Sequence, residues 1–227
     1  MAYMMKTFGI ALTAGLLGSV AAQASTIDLT DNGTYTQTTT SASGTTADNV
    51  SWVIKPIPAQ GPLTYTNFDG NSLAANKALN PDLAFENDGI GIKDDEVSYP
   101  SESLTMTFDQ SVTVTGVYVL DLFGAETTEI YSNGVLVGTI AALSGATNST
   151  DDNSTDGYSY IKFSTGVTTT SLTFKAGPKN DTPKAFGSPD FALAAITLAP
   201  IPVPAAGLLL LGGLGALGAA KKRRKTA

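Results

Sequence analysis

The feature that most restricts this chain is a two-residue beat of apolar and hydroxyl side chains. Leu104, Met106 and Phe108 alternate with Thr105 and Thr107. Val112 and Val114 alternate with Thr113 and Thr115, and Leu172 and Phe174 with Ser171 and Thr173. Successive side chains of a strand point to opposite faces, so this beat buries one face and leaves a threonine-rich face wet. A helix of 3.6 residues per turn would scatter the same apolar residues around its circumference. Gly116 breaks the second run just before Val117-Tyr118-Val119-Leu120, where it predicts a bulge or a bend. In "TTEIYSNGVLVGTI" the strand pattern flanks Asn133-Gly134, a dipeptide that favours the type I′ hairpin turn. Further strands are expected over 50–55, 63–66, 158–163 and 191–198, and a short helix over 72–79. The Thr/Ser-rich stretch 34–46 reads as an irregular loop or a polar edge. Many short strands separated by Gly, Asn, Asp and Ser predict an all-β fold, an antiparallel β-sandwich of jelly-roll type.

Composition narrows the chemistry. Cysteine and histidine are both absent. The fold therefore stands on packing without disulfides. A Cys/His zinc centre and a Ser-His or Cys-His nucleophile pair are excluded, and the reading is of a protein that is not an enzyme. Residues 25–200 hold seven lysines against all 20 carboxylates, a net charge of −13. A body this acidic repels nucleic acid, which removes that class of partner.

The two ends read as addresses. The N-terminus, "MAYMMKTFGIALTAGLLGSVAAQAS", has a basic Lys6, an apolar stretch of small residues, and a small-x-small site at Ala22-Gln23-Ala24 with Ser25 following. That order is a secretory signal peptide, residues 1–24, and implies the secretion machinery as a partner. At the other end, 205–220 is free of charge and is followed by Lys221, Lys222, Arg223, Arg224 and Lys225. As a helix it would span roughly 24 Å, short against a hydrocarbon core of about 30 Å. Pro202 or Pro204 can open such a helix in its first turn. The cationic cluster would stop it on the cytoplasmic side. A C-terminal transmembrane helix within 201–227 is expected, holding the body 25–200 outside the cytoplasm.

The order Pro-x-Pro, short apolar helix, Arg/Lys cluster resembles the PEP-CTERM class of bacterial protein-sorting tails, and its VPLPA-CTERM variant in particular. Ile201, Pro202, Val203, Pro204 and Ala205, followed by Ala206-Gly207, stand where that variant has Val-Pro-Leu-Pro-Ala-Ala-Gly. The resemblance implies a transient stay in the inner membrane and cleavage near 202–204 by an exosortase-type transpeptidase. It also implies passage to the cell surface, often alongside exopolysaccharide. The body is loosely similar to ectodomains that accompany such tails, in "NDGIGIKDDEVSYPSESLTMTF", "VYVLDLFGAETTEI" and "DFALAAITLAP". That likeness implies no activity.

Candidate sites in the body are few. Asp152, Ser154 and Asp156, followed by Gly157, place oxygen side chains at alternate positions, as at the start of a calcium loop. The twelfth position is Phe163 rather than a bidentate Glu, so the loop is partial, and a polar turn explains the same residues. Asp94, Asp95 and Glu96 are neighbouring carboxylates that repel unless solvated or bound to a cation such as calcium. Trp52, Tyr65, Tyr158 and Tyr160 offer rings for stacking on sugars, or rings for a half-buried sheet. Glu126 and Glu129 are near enough in sequence for paired-carboxylate glycan hydrolysis, but positions three apart on a strand face opposite sides. The expectation is an exported surface or matrix protein with a structural or adhesive role. A carbohydrate-binding module, calcium-assisted or not, is the alternative, and a glycan hydrolase the third.

Overall fold

The computed structural model describes residues 24–57, 61–64, 82–94, 96–143, 157–178, 189–201 and 213. Among the described residues eleven strands follow in chain order: β1 (Ser25–Asp28), β2 (Thr36–Gln37), β3 (Ala42–Thr45), β4 (Ser51–Pro56), β5 (Leu63–Thr64) and β6 (Gly91–Ile92). They continue with β7 (Ser103–Leu120), β8 (Thr127–Ser132), β9 (Val135–Ala141), β10 (Ser159–Ala176) and β11 (Ala192–Leu198). Nine form one antiparallel sheet; β5 and β6 form a separate two-stranded ribbon.

The sheet is organised by two strands of 18 residues each, β7 and β10. In its first half β7 pairs with β4 on one side and with the second half of β10 on the other, with Trp52 opposite Phe108 and Phe174 opposite Leu104. In its second half β7 pairs with β11 and with the start of β10. The strand order β2-β3-β4-β7-β10-β8-β9 thus makes one wing, and β1-β11-β7-β10 the other. The change of partner coincides with register shifts between Lys162 and Val167 on β10 and between Thr197 and Leu198 on β11. These irregularities flank Gly116, which pairs with both Lys162 and Thr197. A Cβ on Gly116 would lie 2.6 Å from Thr197 Oγ1, so the position requires the absence of a side chain.

The alternating residues land as the beat demands. Leu104, Met106, Leu172 and Phe174 are fully buried, each such side chain contributing ~1.5–3 kcal/mol relative to exposure. They join a core that draws on both wings: Trp52, Ile54 and Ile130 from one, Ile27, Val117, Val119 and Ile196 from the other. A second, smaller cluster lies on the opposite face of β7 and β11, where Tyr118, Leu120, Tyr158, Ala192, Ala194 and Ala195 pack with Leu83 and Phe85. With both faces covered, β11 reads as a nearly continuous apolar run.

The segment that supplies Leu83 and Phe85 is clasped to the end of β1. Asp28 Oδ2 accepts the Ala84 N–H at 2.7 Å, and Asp28 Oδ1 accepts the Thr30 hydroxyl at 2.6 Å. Thr30 Oγ1 in turn accepts the Phe85 N–H at 2.9 Å, and the Thr30 carbonyl accepts the Glu86 N–H at 2.9 Å. Asp28 and Thr30 thereby satisfy backbone donors of the segment that covers this face of the sheet.

One expectation needs amendment. The runs around Val112 and Val114 and around Leu104 to Phe108 are parts of one strand, as are 159–163 and Leu172 to Phe174. The polar stretch 34–46 contains β2 and β3 and is the polar edge of the two alternatives, one edge of the sheet. The strand expected over 63–66 is described at Leu63 and Thr64, and the helix expected over 72–79 lies outside the described residues. The Asn133-Gly134 hairpin is present, joining β8 to β9, with φ of 49° and 80° as a type I′ turn requires.

Candidate functional site

The outer face of the second wing carries a run of aromatic rings. Tyr160 on β10 stands directly opposite Tyr118 on β7. Their ring centroids are 5.8 Å apart with planes inclined by 29°. Tyr158 adds a third ring, 6.3 Å from Tyr118 and 6.0 Å from Tyr160, and Phe85 meets Tyr158 edge-on at 6.2 Å. Burial grades along this row: Tyr158 is 0% exposed, Tyr118 7% and Tyr160 41%. Lys162, the next outward-facing residue of β10, places its Nζ 5.4 Å over the Tyr160 ring. The open end of the row therefore presents a tyrosine rim, its hydroxyl and one ammonium. Such a set can hold the apolar face of a sugar beside an oxygen acceptor.

Burial withdraws two of the aromatics expected to stack on sugars. Trp52 on β4 is 4% exposed; its indole lies against Gly44, where a Cβ would sit 2.7 Å from Cζ2, and 6.0 Å from the Tyr35 ring. Tyr158 is wholly inside. Both are core residues: Trp52 lies on the core side of β4, and Tyr158, just before β10, is covered by Leu83 and Phe85. Tyr65 lies outside the described residues. Sequence reasoning missed Tyr118 as a neighbour of Tyr160. Its place in Val117-Tyr118-Val119-Leu120 hinted at an opposite face, but the partner depended on register.

The first wing's outer face holds a second polar group. Tyr131 donates its hydroxyl to Glu129 at 2.6 Å, and Lys175 Nζ lies 5.2 Å over the Tyr131 ring. The hydrogen bond to Glu129 holds the Tyr131 phenol above its ordinary pKa, with desolvation and the Glu129 charge adding in the same direction. Beside it, Thr105 and Thr173 hydroxyls meet at 2.9 Å. A groove of about 350 Å³ runs between β4 and β7, lined by Val53, Lys55, Pro56, Ile57, Thr105 and Thr107.

The carboxylates do not form a pair. Glu126, just before β8, is 2% exposed. Its Oε2 accepts the Phe123 N–H at 2.9 Å and its own N–H donates to the Phe123 carbonyl at 3.0 Å, closing a turn. Glu129 faces the wet side with Tyr131. Of the calcium candidates, Asp94 and Glu96 lie in the turn between Ile92 and Val97, where the Ile92 N–H donates to the Glu96 carbonyl at 2.9 Å. Asp95, Asp152, Ser154 and Asp156 lie outside the described residues. Among the described residues no three acidic side chains converge on a point that a metal ion would occupy. Lys93, beside Asp94, is engaged instead with Glu102 at 2.8 Å.

The ends of the body meet. Ser25, expected to follow the leader, is the first residue of β1 and pairs with Leu198, the last residue of β11. Ile201 packs against the main core. Ala24 is described and exposed; Ala22, Pro202, Val203, Pro204 and Ala205 lie outside the described residues. Among the described residues no helix is long and apolar enough to cross a membrane. No family model matches the sequence, and neither a curated protein nor a solved structure matches it.

Proposed function

We propose that the chain is an exported surface protein whose body, a β-sandwich of jelly-roll type, serves a structural or adhesive role. Residues 1–24 carry it across the membrane. Residues 201–227, read as a VPLPA-CTERM tail, hold it in the inner membrane until an exosortase-type transpeptidase releases it to the surface. The supporting observation is the pairing of Ser25 with Leu198. The first strand, β1, begins at the residue expected to follow the leader, and β11 ends at Leu198, just before the tail motif. Both membrane-directed segments thus leave from one end of the β1–β11 ladder, so neither must be threaded through the fold. The test is localisation with intact mass, for the chain with and without residues 201–227. A surface product that starts at Ser25 and ends near 202–204 supports the proposal. A cytoplasmic product with both ends intact overturns it.

A second reading, carbohydrate binding, is favoured by the exposed Tyr160 under Lys162. One exposed ring predicts weak single-site affinity. Retention on a glycan array that disappears in Tyr160→Ala, with the variant still folding cooperatively, is the result this reading requires.

A further inference from the structure

The residue that opens β1 is met by a carboxylate from 23 positions away: Ser25 Oγ donates to Asp48 Oδ2 at 2.6 Å. Asp48 sits in the turn between β3 and β4, and that turn holds its own shape. The Thr46 N–H donates to the Val50 carbonyl at 3.0 Å, the Asn49 N–H to the Thr46 carbonyl at 3.0 Å, and the Val50 N–H to Thr46 Oγ1 at 3.2 Å. Asn49 takes φ 61°, a conformation asparagine accepts more readily than most residues. The turn that carries the carboxylate is therefore held by bonds that do not involve Ser25.

The backbone nitrogen of Ser25 lies three bonds from its hydroxyl, and so within roughly 6 Å of the same carboxylate. In the uncut chain this nitrogen is an uncharged amide. Hydrolysis of the Ala24–Ser25 bond consumes one water, leaves a carboxylate on Ala24 of the departing leader, and turns the nitrogen into an amine that takes up a proton. An opposite charge at that distance favours the charged form. The β11 residues alongside, Leu198 and Thr197, carry no charge to compete.

We propose that Asp48 is the seat of the α-ammonium created when the leader is removed from Ser25. Cleavage then adds an ion pair between the new N-terminus and the β3–β4 turn. That pair ties β1, already paired with β11, to the β3–β4 turn, so maturation at one end tightens the fold beside the strand that leads to the tail. The inference rests on the reading that residues 1–24 are a cleaved leader.

The test compares two forms of the full chain in detergent: one with its leader retained through Ala22→Leu and Ala24→Leu, the other processed to begin at Ser25. Each is made with and without Asp48→Asn. The expected result is that Asp48→Asn lowers the melting temperature of the processed form by roughly 1–3 °C more than that of the leader-bearing form. Deuterium uptake over 25–28 should rise in the processed form alone, and about 1 M salt should erase the difference. Equal effects of Asp48→Asn in both forms overturn the ammonium seat. Ser25→Ala in the processed chain removes the hydroxyl and keeps the ammonium; a difference that survives supports the ion pair, and one that vanishes overturns it. N-terminal sequencing of the exported chain addresses the leader separately. A start at Ser25 supports the proposal, and another start overturns the cleavage reading whatever Asp48 does.

Discussion

Gly89 is pressed against the backbone of Leu193. A Cβ on Gly89 would meet the Leu193 carbonyl oxygen and carbon, and Gly89 adopts φ +97°, a region closed to most side chains. The next residue exchanges a pair of bonds with the same partner: the Ile90 N–H donates to the Leu193 carbonyl at 2.9 Å, and the Leu193 N–H to the Ile90 carbonyl at 3.0 Å. Ile90 is thus bridged to β11, and Leu83 and Phe85 pack in one cluster with Ala192, Ala194 and Ala195. Gly89→Ala is expected to destabilise the fold by at least ~2–3 kcal/mol, through both the clash and the backbone conformation. Urea unfolding of the variant checks this, and an unchanged midpoint would show that the segment can lift away at no cost.

Tyr158 and Tyr160 should separate cleanly. Tyr158→Ala empties a fully buried site and is expected to cost ~3–5 kcal/mol, as for other large core aromatics. Tyr160→Ala at a 41% exposed position should cost much less, about 1 kcal/mol, through its lost contact with Tyr118. Thermal unfolding of the two variants decides it. Similar losses in both would mean that the open end of the aromatic row is covered in solution.

Glu126 acts in the turn. Glu126→Ala is expected to cost about 1–3 kcal/mol, since it leaves the Phe123 N–H without its buried carboxyl acceptor. Glu129→Ala, on the wet face, should stay within about 0.5 kcal/mol. Chemical denaturation distinguishes them. If Glu126→Ala abolished turnover of a polysaccharide while leaving stability intact, the turn assignment would fail and the hydrolase reading would return.

The ion pair between Lys93 and Glu102 has a signed consequence at high pH. Hydrogen bonding to Glu102, reinforced by its charge, raises the Lys93 pKa against a smaller opposing desolvation, with the Asp94 charge adding least. A lysine whose pKa is higher folded than unfolded contributes stability below its unfolded pKa and loses it as pH rises through the folded value. The contribution should therefore persist to roughly pH 10.4 and disappear above it. Melting temperature measured from pH 8 to 12 should fall more steeply at the alkaline end for the native chain than for Lys93→Gln. Parallel curves would show that the pair carries no linkage.

Much of the strand content was readable locally. The beat of Leu104, Met106 and Phe108 against Thr105 and Thr107 names its own buried face, and Asn133-Gly134 names its own turn, because both depend on backbone geometry a few residues long. Gly116 was legible as an irregularity for the same reason. The candidate site was far less so. Tyr158 and Tyr160 have the same identity and lie two residues apart, yet one is in the core and the other partly in water. The difference comes from Leu83 and Phe85, brought over Tyr158 by Asp28 and Thr30 from more than 50 residues away in sequence.

By itself, then, the sequence determined an all-β class, the inward-facing residues of its alternating runs, the hairpin, and the absence of any cysteine or histidine chemistry. Only the tertiary structure decided that separate runs join into β7 and β10, that Tyr118 stacks on Tyr160, that Trp52 lies inside against Gly44, and that Asp48 waits at Ser25. The physical reason is one of range. Alternation and turn chemistry are set by dihedral preferences within a few residues, whereas pairing register and the covering of a face are set by contacts between distant segments that no local pattern encodes.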